Sequence, residues 1–387
     1  MNKKFILFAA CALTLVACEK GGGGVTSDKE AALQKAMTPY VNNTVIATYS
    51  GMADEGLVLL TQCRQILDKV EKGEDYSALM VEAGTTWRKM RKFWEQSEAF
   101  LFGPADQHNI DPHIDSWPLD FTQINALLND PNRMAEIEAN RGPAVGALDY
   151  ALKGFHAAEY FLFESVKQGD RAIGTGKPHA ADLTHAEAVY LLGIVEDLVQ
   201  QTILLEDSWA GHVSAEKAAV ITVNGKSMSY NEQFGDYFIH VGKDSEYKTY
   251  QEAAEEMIAG CVEIAGEVAA TKMGKPYLSS NAEERDYIES PYSCTSTIDF
   301  ADNIISIRNV YCGAKEGDAS VSDFIQSRDA ELDAKVRKAI EESIAAIEAI
   351  EDFENNAQNN PQVKAAIDQV SALEEVLDKE VLPLMSK

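Results

Sequence analysis

The sequence predicts an all-α fold, helices packed as bundles in two lobes, from three observations. Apolar residues recur at alternating steps of four and three over long stretches, strand-like alternating runs are scarce, and the periodic stretches stop at Gly or Pro. Val45, Tyr49, Met52, Gly56, Leu59, Cys63, Ile66 and Val70 form one stripe of a long helix. A second stripe, Trp87, Met90, Trp94, Ser97 and Leu101, ends at Gly103-Pro104, a pair that breaks a helix. A loop-rich stretch from Ala105 to Pro118 follows. Arg141-Gly142-Pro143 then opens a helix running to about Val166, with Val145, Leu148, Leu152, Phe155 and Leu162 apolar. Residues 168–178, rich in glycine, read as the linker between the lobes, with the boundary near 167–182. Leu183 to about Ala219 is helical, and Asn224-Gly225 between short alternating runs predicts a small β-hairpin near 221–230. Helices resume at about 246–272, 295–312, 331–355 and 361–384.

The chain opens on a short positive start, Met1-Asn2-Lys3-Lys4, and an apolar run from Phe5 to Val16. That run is too short to span a bilayer and suits the core of a secretory signal. Its end, Leu15-Val16-Ala17-Cys18, resembles the lipobox of bacterial lipoproteins, whose cysteine is acylated and becomes the first mature residue. On this reading residues 1–17 are a signal peptide and Cys18 carries lipid. Residues 18–28, with the run Gly21 to Gly24, are a flexible tether, and residues 29–387 are the folded body. The expected location is the cell envelope, lipid-anchored, most simply at the outer membrane. No later apolar run reaches the roughly 20 residues of a membrane helix.

Sixty-two acidic residues against 34 basic ones give a net charge of −28. Such a polyanion is repelled by nucleic acid and by anionic lipid, so nucleic-acid binding is excluded and membrane contact is expected through the anchor alone. Cys63, Cys261, Cys294 and Cys312 remain after processing, without a CxxC pair, which excludes a thiol metal knuckle. Export permits disulfides, but spacing does not reveal a pairing, and buried free thiols fit equally well.

The segment with chemical content is Gly154-Phe155-His156-Ala157-Ala158-Glu159-Tyr160-Phe161. His156 and Glu159 are three apart and share a helix face. Glu159 is embedded in small and aromatic residues, where a carboxylate must be paired, hydrogen-bonded, metal-bound or protonated. Gly154 removes a side chain and lets another segment approach closely. An imidazole and a carboxylate at this spacing can bind one metal ion, or simply satisfy each other in a core.

Gly154-x-His156-x-x-Glu159 resembles the GxHxxE signature of the imelysin family, also called the M75 peptidase family. Trp94-x-x-Ser97-Glu98-x-Phe100-x-Phe102-Gly103-Pro104, Ile114-Asp115-Ser116-Trp117-Pro118 and the stretch from Asp299 through Asp302-Asn303 and Asn309 to Gly313 are similar to further blocks of that family, in the same order. The resemblance implies an all-helical, two-lobed fold with the GxHxxE residues between the lobes, an envelope location, a link to iron acquisition and a peptidase label. The strongest zinc-peptidase motif, HExxH, is missing, and two ligands from one helix do not complete a catalytic zinc site.

Further ligands are sought nearby. Asp115 stands beside Trp117, and Glu98 lies a turn before a helix end with Ser97. Asp299, Asp302, Ser306 and Asn309 form a polar stripe, with Asn303 in the same block, which reads either as a solvated face or as the lining of a cleft. Arg308 pairs with a carboxylate, with an anionic ligand or with nothing. His108, Asp111 and His113 form a second, looser grouping, either metal-binding or solvated. His179, His185, His212 and His240 are isolated.

The leading expectation is an envelope lipoprotein that holds a metal ion or small ligand in an interlobe cleft. Its metal ligands would be His156, Glu159 and Asp115, with Gly154, Ser97, Glu98, Trp117, Asp299, Asp302, Asn303 and Asn309 around them. Imidazole with carboxylates suits Fe, Zn or Cu better than Ca or Mg, with Fe or Zn foremost. Envelope transport partners would receive the cargo. Two alternatives stand beside it: a hydrolase in which a metal at His156 and Glu159 activates water, and a glycan-binding or structural module in which the pair only knits the lobes together.

Overall fold

The computed structural model describes residues 23–168 and 171–387. The stretch read as a signal peptide, Cys18 and the start of the glycine run lie outside the described residues. Helix Gly23–Pro39 takes in part of the stretch read as tether, and Lys29 is buried there, donating to the carbonyl of Met385 at 2.8 Å. Residues 23–28 are therefore helical, because the helix that docks on the C-terminal end extends back through them.

A π-helical turn, Tyr40–Ile46, leads into helix Ala47–Lys72. This helix packs against Ser77–Glu95 and His185–Ala210 to form the first bundle. The predicted stripe from Val45 to Ile66 is buried throughout. His185–Ala210 starts at a capping box in which the Thr184 side chain and Glu187 satisfy each other's backbone N–H. It is long and apolar enough to cross a membrane, a longer apolar run than the sequence reading allowed. Its apolar window is 94 % buried inside the protein, which makes it the central core helix.

The second bundle comprises Tyr250–Glu267, Ser296–Cys312, Ala330–Glu348 and Pro361–Val376, with Gly23–Pro39 packed on its first member. Among the described residues the strands form two small antiparallel hairpins. One, Thr222–Val223 with Lys226–Ser227, sits where Asn224-Gly225 predicts it.

The other hairpin is a correction. Residues 168–178 are not a linker: Phe163–Gln168 pairs with Arg171–Pro178, and the helix that follows returns to the first bundle. The expected helix from Pro143 to Val166 is also broken. It consists of Gly142–Gly146, a 3-10 turn at Tyr150–Leu152 and Gly154–Leu162. The breaks fall where glycines let the chain approach its neighbours. Gly146 lies against the Asp197 carboxylate and Gly154 against the Ile114 carbonyl. The four cysteines among the described residues carry free thiols, buried for Cys63 and Cys261 and half-buried for Cys294 and Cys312.

Candidate metal centre

The short helix Gly154–Leu162 places the motif. Gly154 has φ +81°, a conformation few side chains tolerate, and a Cβ there would run into the Ile114 carbonyl. The loop from Ile114 to Pro118 therefore lies directly on the start of this helix and brings Asp115 to His156. His156 Nε2 is 3.1 Å from Asp115 Oδ1, and Nδ1 on the other edge is 3.6 Å from Glu159 Oε2. Trp117 packs over the imidazole with ring centroids 5.0 Å apart.

Glu159 is fully buried and faces away from Asp115. Its Oε1 accepts the backbone N–H of Tyr292 at 3.0 Å, that of Ser293 at 2.7 Å and the Ser293 hydroxyl at 2.7 Å. The 290–295 segment is itself held by the first hairpin, where Gly174 and Gly176 donate to the carbonyls of Pro291 and Tyr292.

Two buried cations enter from other helices. Arg91, on Ser77–Glu95, contacts three carboxylates: Glu95 at 2.6 Å, Asp115, and Glu289 at 3.0 Å. The Trp94 indole donates to the second oxygen of Asp115 at 2.7 Å. Lys272 ends a π-helical turn, Val268–Lys272, and its ammonium lies 3.2 Å from Glu289, 3.6 Å from Glu98 and 3.7 Å from Glu95. Asn303 donates to Glu95 at 2.6 Å.

Asp115, Glu98, Lys272 and Glu289 open onto a cleft of 630 Å³, a size typical of ligand sites. Its walls come from helix Tyr250–Glu267, through Glu256, Glu263 and Glu267, and from the loop carrying Asp106, Asp111 and Trp117. Eight carboxylates line it against one ammonium. A separate cavity of 510 Å³ beside Trp209 contains none of the motif residues.

This crowding shows in the proton affinities. Burial raises Glu95 and Asp111 to about 7, the former despite Arg91 and Lys272. Burial likewise holds Glu98 well above the usual carboxylate range. Burial also works against ionised Asp115, but Arg91 and His156 beside it outweigh that and hold it well below. Burial alone would lower the His156 imidazolium, yet Asp115 and Glu159 push it up to about 9.

Asp115, His156 and Glu289 each offer a ligand atom within 4.8 Å of the others. His156 is 1 % exposed, and neither of its ring nitrogens makes a hydrogen bond of good geometry. One imidazole and two carboxylates offer the nitrogen and oxygen donors that a transition metal takes. Glu159 stands where a carboxylate orients such a histidine from its far nitrogen. Of the predicted trio, the structure thus brings Asp115 and His156 together and sets Glu159 behind them.

The remaining predicted residues divide. Glu98 and Trp117 line the cleft. Ser97 is buried and donates to the Trp94 carbonyl. Asp299, Asp302 and Ser306 of the stripe on Ser296–Cys312 neither line the cleft nor face solvent, because that helix packs against Ser77–Glu95 and buries them, while Asn309 is half-buried and away from the cleft. Asp299 accepts from Ser290 at 2.5 Å, Asp302 from Gln96 at 2.7 Å, and the Asn309 carbonyl from Thr44 at 3.4 Å. Of that stretch Asn303 alone touches the charged cluster. Arg308 pairs with Glu341 at the surface.

The loose grouping of His108, Asp111 and His113 comes apart. His108 stacks on Tyr230 and pairs with Glu232, His113 pairs with Asp197, and Asp111 faces the cleft. Arg91, Lys272 and Glu289 went unnoticed in the sequence. For Arg91 a signal exists: it falls one helical turn from Trp87 and Glu95, on the buried face.

Comparison with known proteins adds the following. A family model described as Imelysin, of the M75 peptidases, matches residues 45–379. The chain is 26 % identical over 357 residues to iron-regulated protein A of Synechococcus elongatus, covering 89 % of this chain and 85 % of that protein. Its fold is similar to that of a Parabacteroides distasonis protein proposed to be an iron-regulated protein A precursor. The TM-score is 0.75 at 24 % identity, over 92 % of this chain and 96 % of that one. An imelysin-like protein from Psychrobacter arcticus shares the fold with a TM-score of 0.64 at 11 % identity, over 96 % and 98 % of the two chains.

Proposed function

The chain belongs to the imelysin family, and we propose that within it this protein captures a transition-metal cation, iron foremost, in the acidic cleft. Asp115, His156 and Glu289 are its ligands, and Glu159 holds the imidazole from behind. One observation carries the reading: a fully buried histidine whose ring nitrogens make no hydrogen bond of good geometry, beside two carboxylates at ligand spacing that line a cleft with eight acids in all and one ammonium. Buried polar groups left this way are rare outside functional sites.

Each part of the site has a task. The carboxylates at the mouth draw cations inward by their field. Arg91 and Lys272 hold the floor together before the cargo arrives, since unpaired buried carboxylates are costly. Iron fits the mixed nitrogen and oxygen donors, and a relative is named for its regulation by iron. The leader and Cys18 support an exported, lipid-anchored protein in the cell envelope, where metals arrive and a transport partner takes them on. In a hydrolase reading another carboxylate would be the general base, since Glu159 already spends one oxygen on three hydrogen bonds.

The test is metal analysis of mature protein purified without chelator, followed by Fe and Zn titration of wild type and His156→Ala. Tight binding in wild type that is lost in a folded His156→Ala is the expected result. Equal binding by both proteins overturns the reading.

A further inference from the structure

We propose that a second cavity, between Arg64 and Glu196, binds a small zwitterion: a molecule of amino-acid or dipeptide size that carries a primary ammonium and a carboxylate. This cavity has a volume of 440 Å³ and shares no residue with the acidic cleft. The site therefore stands or falls apart from the metal reading.

The acceptors come from the core helix His185–Ala210. Glu196 and Gln200 lie one turn apart on it, share a face and line the cavity. Glu196 Oε2 is closed off from solvent and has no hydrogen-bond partner. Gln200 is 2 % exposed; its amide nitrogen donates to the Val220 carbonyl at 3.3 Å, while its oxygen accepts no hydrogen bond among the described residues. Gly142 packs on the pair, and a Cβ there would come within 3.0 Å of the Gln200 oxygen and of Glu196 Cγ. No side chain from that segment caps them.

Two neighbouring acceptors without a donor are costly in a purely structural role. An ammonium answers both, because it carries three donors and a charge opposite to that of the carboxylate. Glu196 is half-buried, and the terminal torsion of a glutamate is soft, so a turn of the carboxylate brings Oε2 to a ligand.

The other charge comes from a different helix. Arg64, on Ala47–Lys72, lines the same cavity, is exposed, and makes neither an ion pair nor a hydrogen bond among the described residues. A free guanidinium fork takes a carboxylate with two parallel hydrogen bonds. Asn140 and the hairpin residues Thr222 and Asn224 add polar wall between the two charges. A simple anion would be repelled by Glu196 and a simple cation by Arg64. A molecule with both charges meets each of them.

The test is calorimetric titration of the mature protein with L-alanine and with L-alanyl-L-alanine, which differ in the distance between their charges. N-acetyl-L-alanine, without the ammonium, and L-alaninamide, without the carboxylate, are the controls. Saturable binding of one zwitterion is expected. It should be weaker by about tenfold or more for each control, and in Glu196→Gln and Arg64→Met, as when a charge-assisted hydrogen bond is lost. Circular dichroism reports the fold, and the exposed Arg64 gives a variant that tests the site even where Glu196→Gln disturbs packing. No binding of either zwitterion, equal binding of the controls, or unchanged affinity in Arg64→Met overturns the proposal.

Discussion

His113 and His156 each stand against a buried aspartate. His113 Nε2 lies 2.9 and 3.1 Å from the two oxygens of Asp197, a residue of the core helix that packs on Gly146. That pair closes on itself, one imidazole to one carboxylate. His156 meets Asp115 at a similar 3.1 Å, but Asp115 also serves Arg91 and Trp94, while Glu159 and Glu289 stand close by. The distances nearly match; the surroundings differ. A balanced buried pair is part of the architecture, whereas a histidine among several buried carboxylates is the arrangement on which the proposed metal site rests.

The sharpest way to break this contrast is Arg91→Met. It leaves Glu95, Asp115 and Glu289 buried without their guanidinium, and a loss of about 3–5 kcal/mol of unfolding free energy is expected. Urea denaturation measures it, and saturating metal should restore part of the loss. A variant as stable as wild type would show that the carboxylates are already balanced.

Next in size is Glu159→Gln, which weakens the orientation of His156 without removing a metal ligand. Chelator competition should show metal affinity lower by roughly 10–100-fold. Unchanged affinity would return Glu159 to a purely lobe-tying role.

A smaller effect appears with pH in metal-free protein. The His156 pKa, about 9, lies above its ordinary 6.5. Its contribution to stability is therefore complete below about 6.5 and is lost as pH rises through about 9. Glu95 and Asp111, raised to about 7 by burial, also favour the protonated folded state and add to the decline as they ionise. Melting temperature should fall over this range, and His156→Gln should flatten the upper part of the curve. A profile identical to wild type in that variant would place the titration elsewhere.

The smallest effect on binding is expected from Asp197→Asn. It should cost about 1–3 kcal/mol of stability, since it disturbs a buried hydrogen-bonded pair, and leave metal titration unchanged. A drop in affinity comparable with that of His156→Ala would erase the distinction between the two histidines.

Much of this molecule is legible along the chain. The stripe from Val45 to Ile66, the core tryptophans Trp87 and Trp94 and the Asn224-Gly225 hairpin follow from local rules of period and turn chemistry, and all stand where those rules put them. The GxHxxE block marks the site for the same reason: a carboxylate among aromatics is a local anomaly. Where local pattern misled, a contact with a distant segment decided. The apolar period from Val145 to Leu162 runs unbroken through two breaks that exist because Asp197 and Ile114 press on Gly146 and Gly154. The stripe from Asp299 to Ser306 has the polarity of a cleft wall, yet a neighbouring helix covers it.

By itself, then, the sequence determined the helical class, the family signature and the pair His156 and Glu159, because period, glycine and spacing act over a few residues. Only the tertiary structure decided that Asp115 faces one edge of His156 and Glu159 the other, with Glu289 close by, and that Arg91 and Lys272 are the resident cations. These residues come from segments far apart in the chain. Charge balance in a buried site depends on distance in space, which no local spacing encodes.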